Sequence, residues 1–117
     1  MIEYKETPPG RVVHMRDDVR LDGVRYDVYI GDAMPWEPYG LKRSDWYNPF
    51  NKLYRKGLIT REEPIALYIQ YVLSKPELVA RLPELRGKVL ACWCAPERCH
   101  GDVLLELASH HLLGEEG

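Results

Sequence analysis

The strongest constraint on the fold of this chain is one passage near its C-terminus. A short apolar run, Lys88-Val89-Leu90-Ala91, leads into Cys92-Trp93-Cys94-Ala95-Pro96-Glu97-Arg98-Cys99-His100-Gly101-Asp102, and a helical pattern follows from Val103 to Leu113. All three cysteines of the chain lie in it. Lys88 to Cys92 reads as a short buried strand, and the helix turns Leu104, Leu107, Ala108 and Leu112 inward. A strand–turn–helix of this kind places ionisable side chains where open α/β sheets bind ligands. The N–H groups of the helix start favour an anion or a thiolate.

The rest of the pattern agrees with a small α/β domain, a mixed sheet flanked by helices. Residues 1–10 end in Pro8-Pro9-Gly10 and read as an irregular arm. Strand signal covers Arg11 to Arg16 and Val19 to Leu21, Asp22-Gly23 suits a two-residue hairpin turn, and Val24, Tyr26, Val28 and Ile30 alternate as in a strand. Ala33 to Phe50 is a long stretch without periodicity whose aromatics argue for an ordered loop across the sheet. Thr60 and Glu63 have capping-box spacing before the stripe Ile65, Tyr68, Ile69 and Val72. Ser74 and Glu77 repeat the spacing ahead of a short helix that Pro83 ends. A length of 117 residues fits one domain, placed at 11–113, with 114–117 as a frayed tail.

Function classes narrow from the same residues. No apolar stretch approaches the ~20 residues of a membrane span, so no membrane partner is expected. The N-terminus lacks a secretory pattern, and three clustered cysteines cannot staple a fold, so a reduced, cytoplasmic setting is expected. Charge is uneven: the net charge is −2, yet Leu41 to Arg61 carries Lys42, Arg43, Lys52, Arg55, Lys56 and Arg61 against Asp45 alone. Trp46, Tyr47, Phe50 and Tyr54 are interleaved with it. Basic residues beside aromatics hold phosphates and stack on bases, although such a run also serves as plain solvated surface.

The Cys–His turn admits several chemistries. Cys92, Cys94, Cys99 and His100 are a tetrahedral zinc ligand set, but their C-x-C-x4-C-H spacing lacks paired C-x2-C knuckles, and adjacent Cys99 and His100 reach one metal only with strain. No cofactor is therefore predicted, zinc being the one open alternative. Cys99 or Cys94 could act as a nucleophile, with His100 or His14 as base and Asp102 orienting His100 or capping the helix. A C-x5-R pattern from Cys92 to Arg98 is similar to a phosphatase loop, but it has no glycine to let its amides converge on phosphate. The plain reading of Cys92 is a small core residue on a buried strand. His110 and His111 suit a helix C-terminus and are not expected to be ligands.

The stretch from Leu85-Arg86-Gly87-Lys88 through Cys92-Trp93-Cys94-Ala95-Pro96 to Cys99-His100-Gly101-Asp102-Val103-Leu104 resembles an uncharacterised domain family of phages and bacteria with an "RGK-LxCWCxP…CHGDVL" signature. Tyr29-Ile30-Gly31 and Ser44-Asp45-Trp46-Tyr47-Asn48-Pro49-Phe50 resemble two earlier elements of it. The resemblance implies that the Trp46–Phe50 loop and the Cys–His turn share a pocket, in a bacterial or phage-encoded protein. Where the family pattern has Gly-Arg this chain has Gly31-Asp32, and Tyr47 replaces a glycine. A lost arginine weakens a phosphate role unless Lys42 or Arg43 compensates.

The expectation is a small domain binding a nucleotide, nucleoside or related phosphorylated ligand between that loop and the Cys94–Asp102 turn. Trp46 or Phe50 would stack, Asn48 would hydrogen-bond and Arg43 or Arg98 would meet phosphate, with Cys99 and His100, or Cys94, carrying any chemistry. Whether the domain is an enzyme stays open. The alternative is an accessory protein that binds nucleic acid or a host protein, its Cys–His turn structural or a zinc site.

Overall fold

In the computed structural model, β3 (Val89–Cys92) is the middle strand of a three-stranded sheet, between β1 (Arg11–His14) and β2 (Val28–Tyr29). Residues 10–60, 62–95 and 98–115 are described, with side chains as far as Ser109; the arm expected at residues 1–9 and the last two residues of the tail lie outside them. Both strand pairs are parallel, with Leu90 set between Val12 and Val28 and Ala91 between Val13 and Tyr29. A strand paired on both edges and covered on both faces reads as a continuous apolar run. Leu90, Ala91 and Cys92 are accordingly at most 1% exposed.

The two faces of the sheet carry different layers. Leu90 and Cys92 enter the larger core with Tyr68 and Val72 of α2 (Glu63–Leu73), Leu82 and Leu85 of a 3₁₀ turn (Leu82–Leu85), and Val103, Leu104 and Ala108 of α4 (His100–Glu115). Ala91 joins Val13 and Met15 on the other face, under Tyr26, Tyr29, Tyr39 and Leu41. The loop before α1 (Asn51–Arg55) joins the layers: Tyr39 and Leu41 pack on the second face, and Trp46 is buried in the first core. This is the small α/β domain that the sequence pattern predicts.

Three local expectations are corrected. The hairpin at Asp22-Gly23 does not form, and the sheet is parallel throughout rather than mixed, the antiparallel bridge between Met34 and Leu41 lying outside it. Past His14 the chain winds into a π-helical segment, Met15–Leu21. The His14 ring accepts hydrogen bonds from the amides of Arg16 and Asp17, and Asp18 accepts from the His14 amide at 2.7 Å. These reciprocal caps favour a helical start over a strand. Gly23, at φ +72°, then turns the chain out.

Ser74 does not open the next helix. It closes α2, its hydroxyl donating to the Tyr71 carbonyl, and Lys75 precedes the short α3 (Pro76–Val79). Pro83 stands in the 3₁₀ turn beyond, after α3 has already ended. Thr60 does pair with Glu63, its amide donating to the carboxylate at 2.8 Å. Finally, α4 starts at His100 rather than Val103 and runs through Gly114 and Glu115, which the sequence reading had left to the tail.

Two contacts lock the layers that surround β3. Tyr68 is fully buried and donates its hydroxyl to the Trp46 carbonyl at 2.6 Å, tying α2 to the long loop. Burial pushes its phenol above the ordinary range, so it stays protonated. Gly101 lets the first turn of α4 approach the sheet, since a Cβ there would stand 2.8 Å from both Ile30 Cδ1 and Val12 Cγ2.

Both contacts generate stability tests by urea unfolding. Tyr68→Phe leaves the Trp46 carbonyl unsatisfied and should cost about 1–3 kcal/mol. Gly101→Ala gains up to about 1 kcal/mol of helix propensity but overpacks the α4–sheet contact, at about 1–3 kcal/mol. The expected result is a net loss; a more stable variant would show that α4 does not need this close approach.

Candidate functional site

Parallel strands end on the same edge of a sheet, and here that edge opens on a cavity of about 280 Å³. Gly31 and Asp32 follow β2 into its wall, and Cys92, Trp93 and Cys94 enter from the end of β3. Arg98, Cys99 and His100 contribute the start of α4, and Pro64 and Ile65 that of α2. Asn48 and one face of α1, namely Asn51, Tyr54 and Arg55, complete it. The i, i+3, i+4 spacing of those three α1 residues puts them side by side. The carboxyl edge of a parallel sheet is where α/β folds hold ligands.

The sulfur atoms form the floor. The Sγ atoms of Cys92, Cys94 and Cys99 all lie within 4.8 Å of one another, and those of Cys92 and Cys99 are 3.4 Å apart. The Cys94 amide donates to Cys92 Sγ and the Gly101 amide to Cys99 Sγ, each at 3.3 Å. Hydrogen bonds from the Cys94 and Cys99 thiols, opposed by burial and helped by the Cys94 and Ala95 amides, hold the Cys92 thiol far below its ordinary range. The same contacts, with burial, push Cys99 up. Three thiols this close could hold a metal ion.

His100 is not a member of that group. It is 3% exposed, its Nε2 donates to the Ile30 carbonyl at 2.8 Å, and its ring stands edge-on to Tyr68. A carbonyl only accepts, so the proton sits on Nε2. Burial pushes the ring below its ordinary pKa, and it is neutral. Nδ1 is buried with no partner among the described residues. The four-ligand set with His100 thus reduces to three sulfurs.

Asp102, expected in the ligand site, is not among the residues that line the cavity. Its carboxylate accepts the Cys99 amide at 2.9 Å while Cys99 Sγ accepts the Gly101 amide, a capping box with a thiol as the cap. Cys99 therefore immediately precedes α4 and His100 is its first residue. The Asp102 amide bonds the Cys99 carbonyl, so the amides of residues 99, 101 and 102 are all satisfied within the turn.

The remaining residues singled out in the sequence divide. Cys94, Cys99, His100, Asn48 and Arg98 come together on the cavity wall, and Trp46, Phe50 and Arg43 do not. Trp46 is 2% exposed in the core, with Arg81 over its ring. Phe50 meets Tyr71 edge-on. Arg43 folds back on Asp32 at 2.6 Å and over the Tyr47 ring. Asp32 and Tyr47 therefore hold Arg43 between them. Asn48 donates to the Pro64 carbonyl and accepts from the Phe50 amide, which pins the loop to α2. Arg98 is exposed and paired with Glu106 at 3.3 Å.

The sequence reading missed Asn51, Tyr54 and Arg55 as a group, together with Asp32 and Trp93. Tyr54 and Arg55 stood in the basic, aromatic run, and helical spacing with Asn51 is the signal that gathers them. Burial acts to raise the Asp32 carboxyl, but the Arg43 hydrogen bond and the Ala33 amide outweigh it and hold the group below the usual carboxylate range.

Comparison with known proteins bears on the same region. Residues 13–110 match the family model described as "Domain of unknown function (DUF4326)", a span containing all three strands' pairing partners from Val13 onward and every wall of the cavity. The chain is also 36% identical over 90 residues to "Uncharacterized protein R718" of Acanthamoeba polyphaga mimivirus. That alignment covers 69% of this chain and 65% of the relative, so the chain spans about two thirds of the relative's length. No solved structure matches it. Among the described residues, no helix is long and apolar enough to cross a membrane. With its family model spanning the sheet, the cysteine trio and α4, the chain belongs to the DUF4326 family of domains of unknown function.

Proposed function

We propose that the cavity binds a small phosphorylated ligand of the nucleoside class. The observation that carries this reading is the composition of the rim: at the carboxyl edge of a parallel sheet, two exposed arginines, Arg55 and Arg98, stand with the 43%-exposed Tyr54 ring and the Asp32 carboxylate around one opening. An arginine fork suits a phosphate, and Tyr54 offers an aromatic face for a base. Asp32, kept ionised by Arg43, has a second carboxylate oxygen to accept from a sugar hydroxyl. A volume of 280 Å³ sits at the small end of ligand pockets, which favours a mononucleotide over a dinucleotide. Trp46 and Phe50, buried or turned toward α2, leave stacking to Tyr54.

A second reading rests on the outer surface. Lys42, Arg43, Lys52, Arg55 and Lys56 are all exposed, as a nucleic-acid-binding face requires. Salt separates the two. One or two phosphate contacts give a shallow dependence of affinity on ionic strength, whereas a strand bound along α1 gives a steep one.

Thermal unfolding with ribonucleosides, their 5′-monophosphates and ribose 5-phosphate tests the first reading. The monophosphates should raise the melting temperature more than the nucleosides, with a shallow salt dependence. Arg55→Ala should weaken monophosphate binding by about 10- to 100-fold, the value of a charge-assisted hydrogen bond of about 1.5–3 kcal/mol, and leave unliganded stability unchanged. No shift with any of these compounds, beside tight and steeply salt-dependent binding of a labelled single-stranded oligonucleotide, would replace it with the second.

A further inference from the structure

We infer that Cys92, Cys94 and Cys99 hold a Zn²⁺ ion as three thiolates, and that its fourth coordination position opens into the cavity instead of being filled by His100. The inference concerns the floor of the cavity and holds whether or not the rim takes a nucleoside phosphate.

Geometry carries the first half. A zinc–sulfur bond of about 2.3 Å in a tetrahedral site separates neighbouring sulfurs by about 3.8 Å. The trio brackets that spacing: one pair is at 3.4 Å, and no pair is farther apart than 4.8 Å. Small side-chain rotations close the difference without moving the strand or the helix. The sequence places these ligands on stable supports, since Cys92 ends β3 and Cys99 precedes α4. Two sulfurs already accept backbone amides, from Cys94 and Gly101 at 3.3 Å. Such hydrogen bonds orient thiolate ligands and offset their charge. An isolated core cysteine needs none of this.

The second half follows from His100. Its ring lies outside the sulfur group, and its Nε2 is committed to the Ile30 carbonyl. The residue next to Cys99 on the first turn of a helix cannot swing to the metal without breaking that bond and the contact with Tyr68. All three cysteines line the cavity, the space from which a fourth ligand would come. Three protein ligands with one exchangeable position is the arrangement of zinc sites that bind or activate a small molecule. His100 therefore stands outside the coordination sphere, its Nδ1 buried and without a partner among the described residues.

Cobalt substitution tests both halves. The full chain, reduced and stripped of metal without oxygen, is titrated with Co²⁺. One equivalent should bind, with the intense ligand-field bands of a tetrahedral site and thiolate-to-cobalt charge transfer in the near ultraviolet, and Zn²⁺ should displace it. Cys94→Ser should remove about one third of the charge-transfer intensity, one thiolate of three, and weaken binding about a hundredfold or more. His100→Gln, which can still donate to Ile30, should leave stoichiometry and spectrum unchanged. Imidazole added to the wild-type cobalt protein should shift the ligand-field bands as it enters the open position. Failure of the reduced wild-type chain to take up stoichiometric metal would overturn the site. Ligand-field bands that do not respond to imidazole, or that change in folded His100→Gln, would overturn the open position.

Discussion

Parallel pairing on both edges of β3 is the constraint from which the site follows. Because all three strands run the same way, β2 and β3 end together, and the segments leaving them must share one edge. Gly31-Asp32 and Cys92-Trp93-Cys94 are therefore neighbours although they lie some sixty residues apart in the chain. The Ile30 amide extends the pairing one step beyond β2, donating to the Ala91 carbonyl at 3.0 Å. The carbonyl of the same residue takes the His100 ring. One residue thus joins the central strand to the first turn of α4, and the missing side chain of Gly101 lets that turn come close enough.

Around this frame, buried and half-buried polar side chains act as positioning pins. Asn48 fastens the long loop to the start of α2, Tyr68 fastens α2 to the same loop at Trp46, and Asp102 fastens the turn to α4. Each pin satisfies backbone groups that would otherwise be buried unpaired, at about 1–3 kcal/mol apiece. His100 Nδ1 is the exception. Native interiors leave few polar atoms unsatisfied, and such atoms tend to mark sites where something else binds. Its position on the cavity wall fits that rule.

The central strand, the stripe of α2 and the strand–turn–helix around the cysteines were legible because each rests on local periodicity. The hairpin was misread for the opposite reason. Asp22-Gly23 looks like a hairpin turn, but β3 offers both flanking segments a buried partner, and the His14–Asp18 caps divert the intervening residues into a helical turn. The site was half legible. The sulfur cluster is visible as a run of cysteines, whereas the exposure of an aromatic depends on tertiary packing. Trp46 and Tyr54 sit in the same basic, aromatic segment, yet one fills the core and the other borders the cavity. Nothing local distinguishes them except the helical spacing of Tyr54 with Asn51 and Arg55. Arg43 was likewise invisible as a partner of Asp32, since that pairing depends on where the loop recrosses the sheet.

The division of the cavity into a sulfur floor and a basic rim restricts how any anionic ligand can enter. The start of α4 would ordinarily attract a phosphate, but the amides of Cys99, Gly101 and Asp102 already bond Asp102, Cys99 Sγ and the Cys99 carbonyl. Cationic wall residues lie instead at Arg55 and Arg98, both exposed. A phosphate would therefore meet cations only at this exposed rim, away from the buried thiols. Rim and floor thus differ in chemistry, exposed guanidinium groups above and buried sulfur below, and that difference rather than cavity shape alone divides the site.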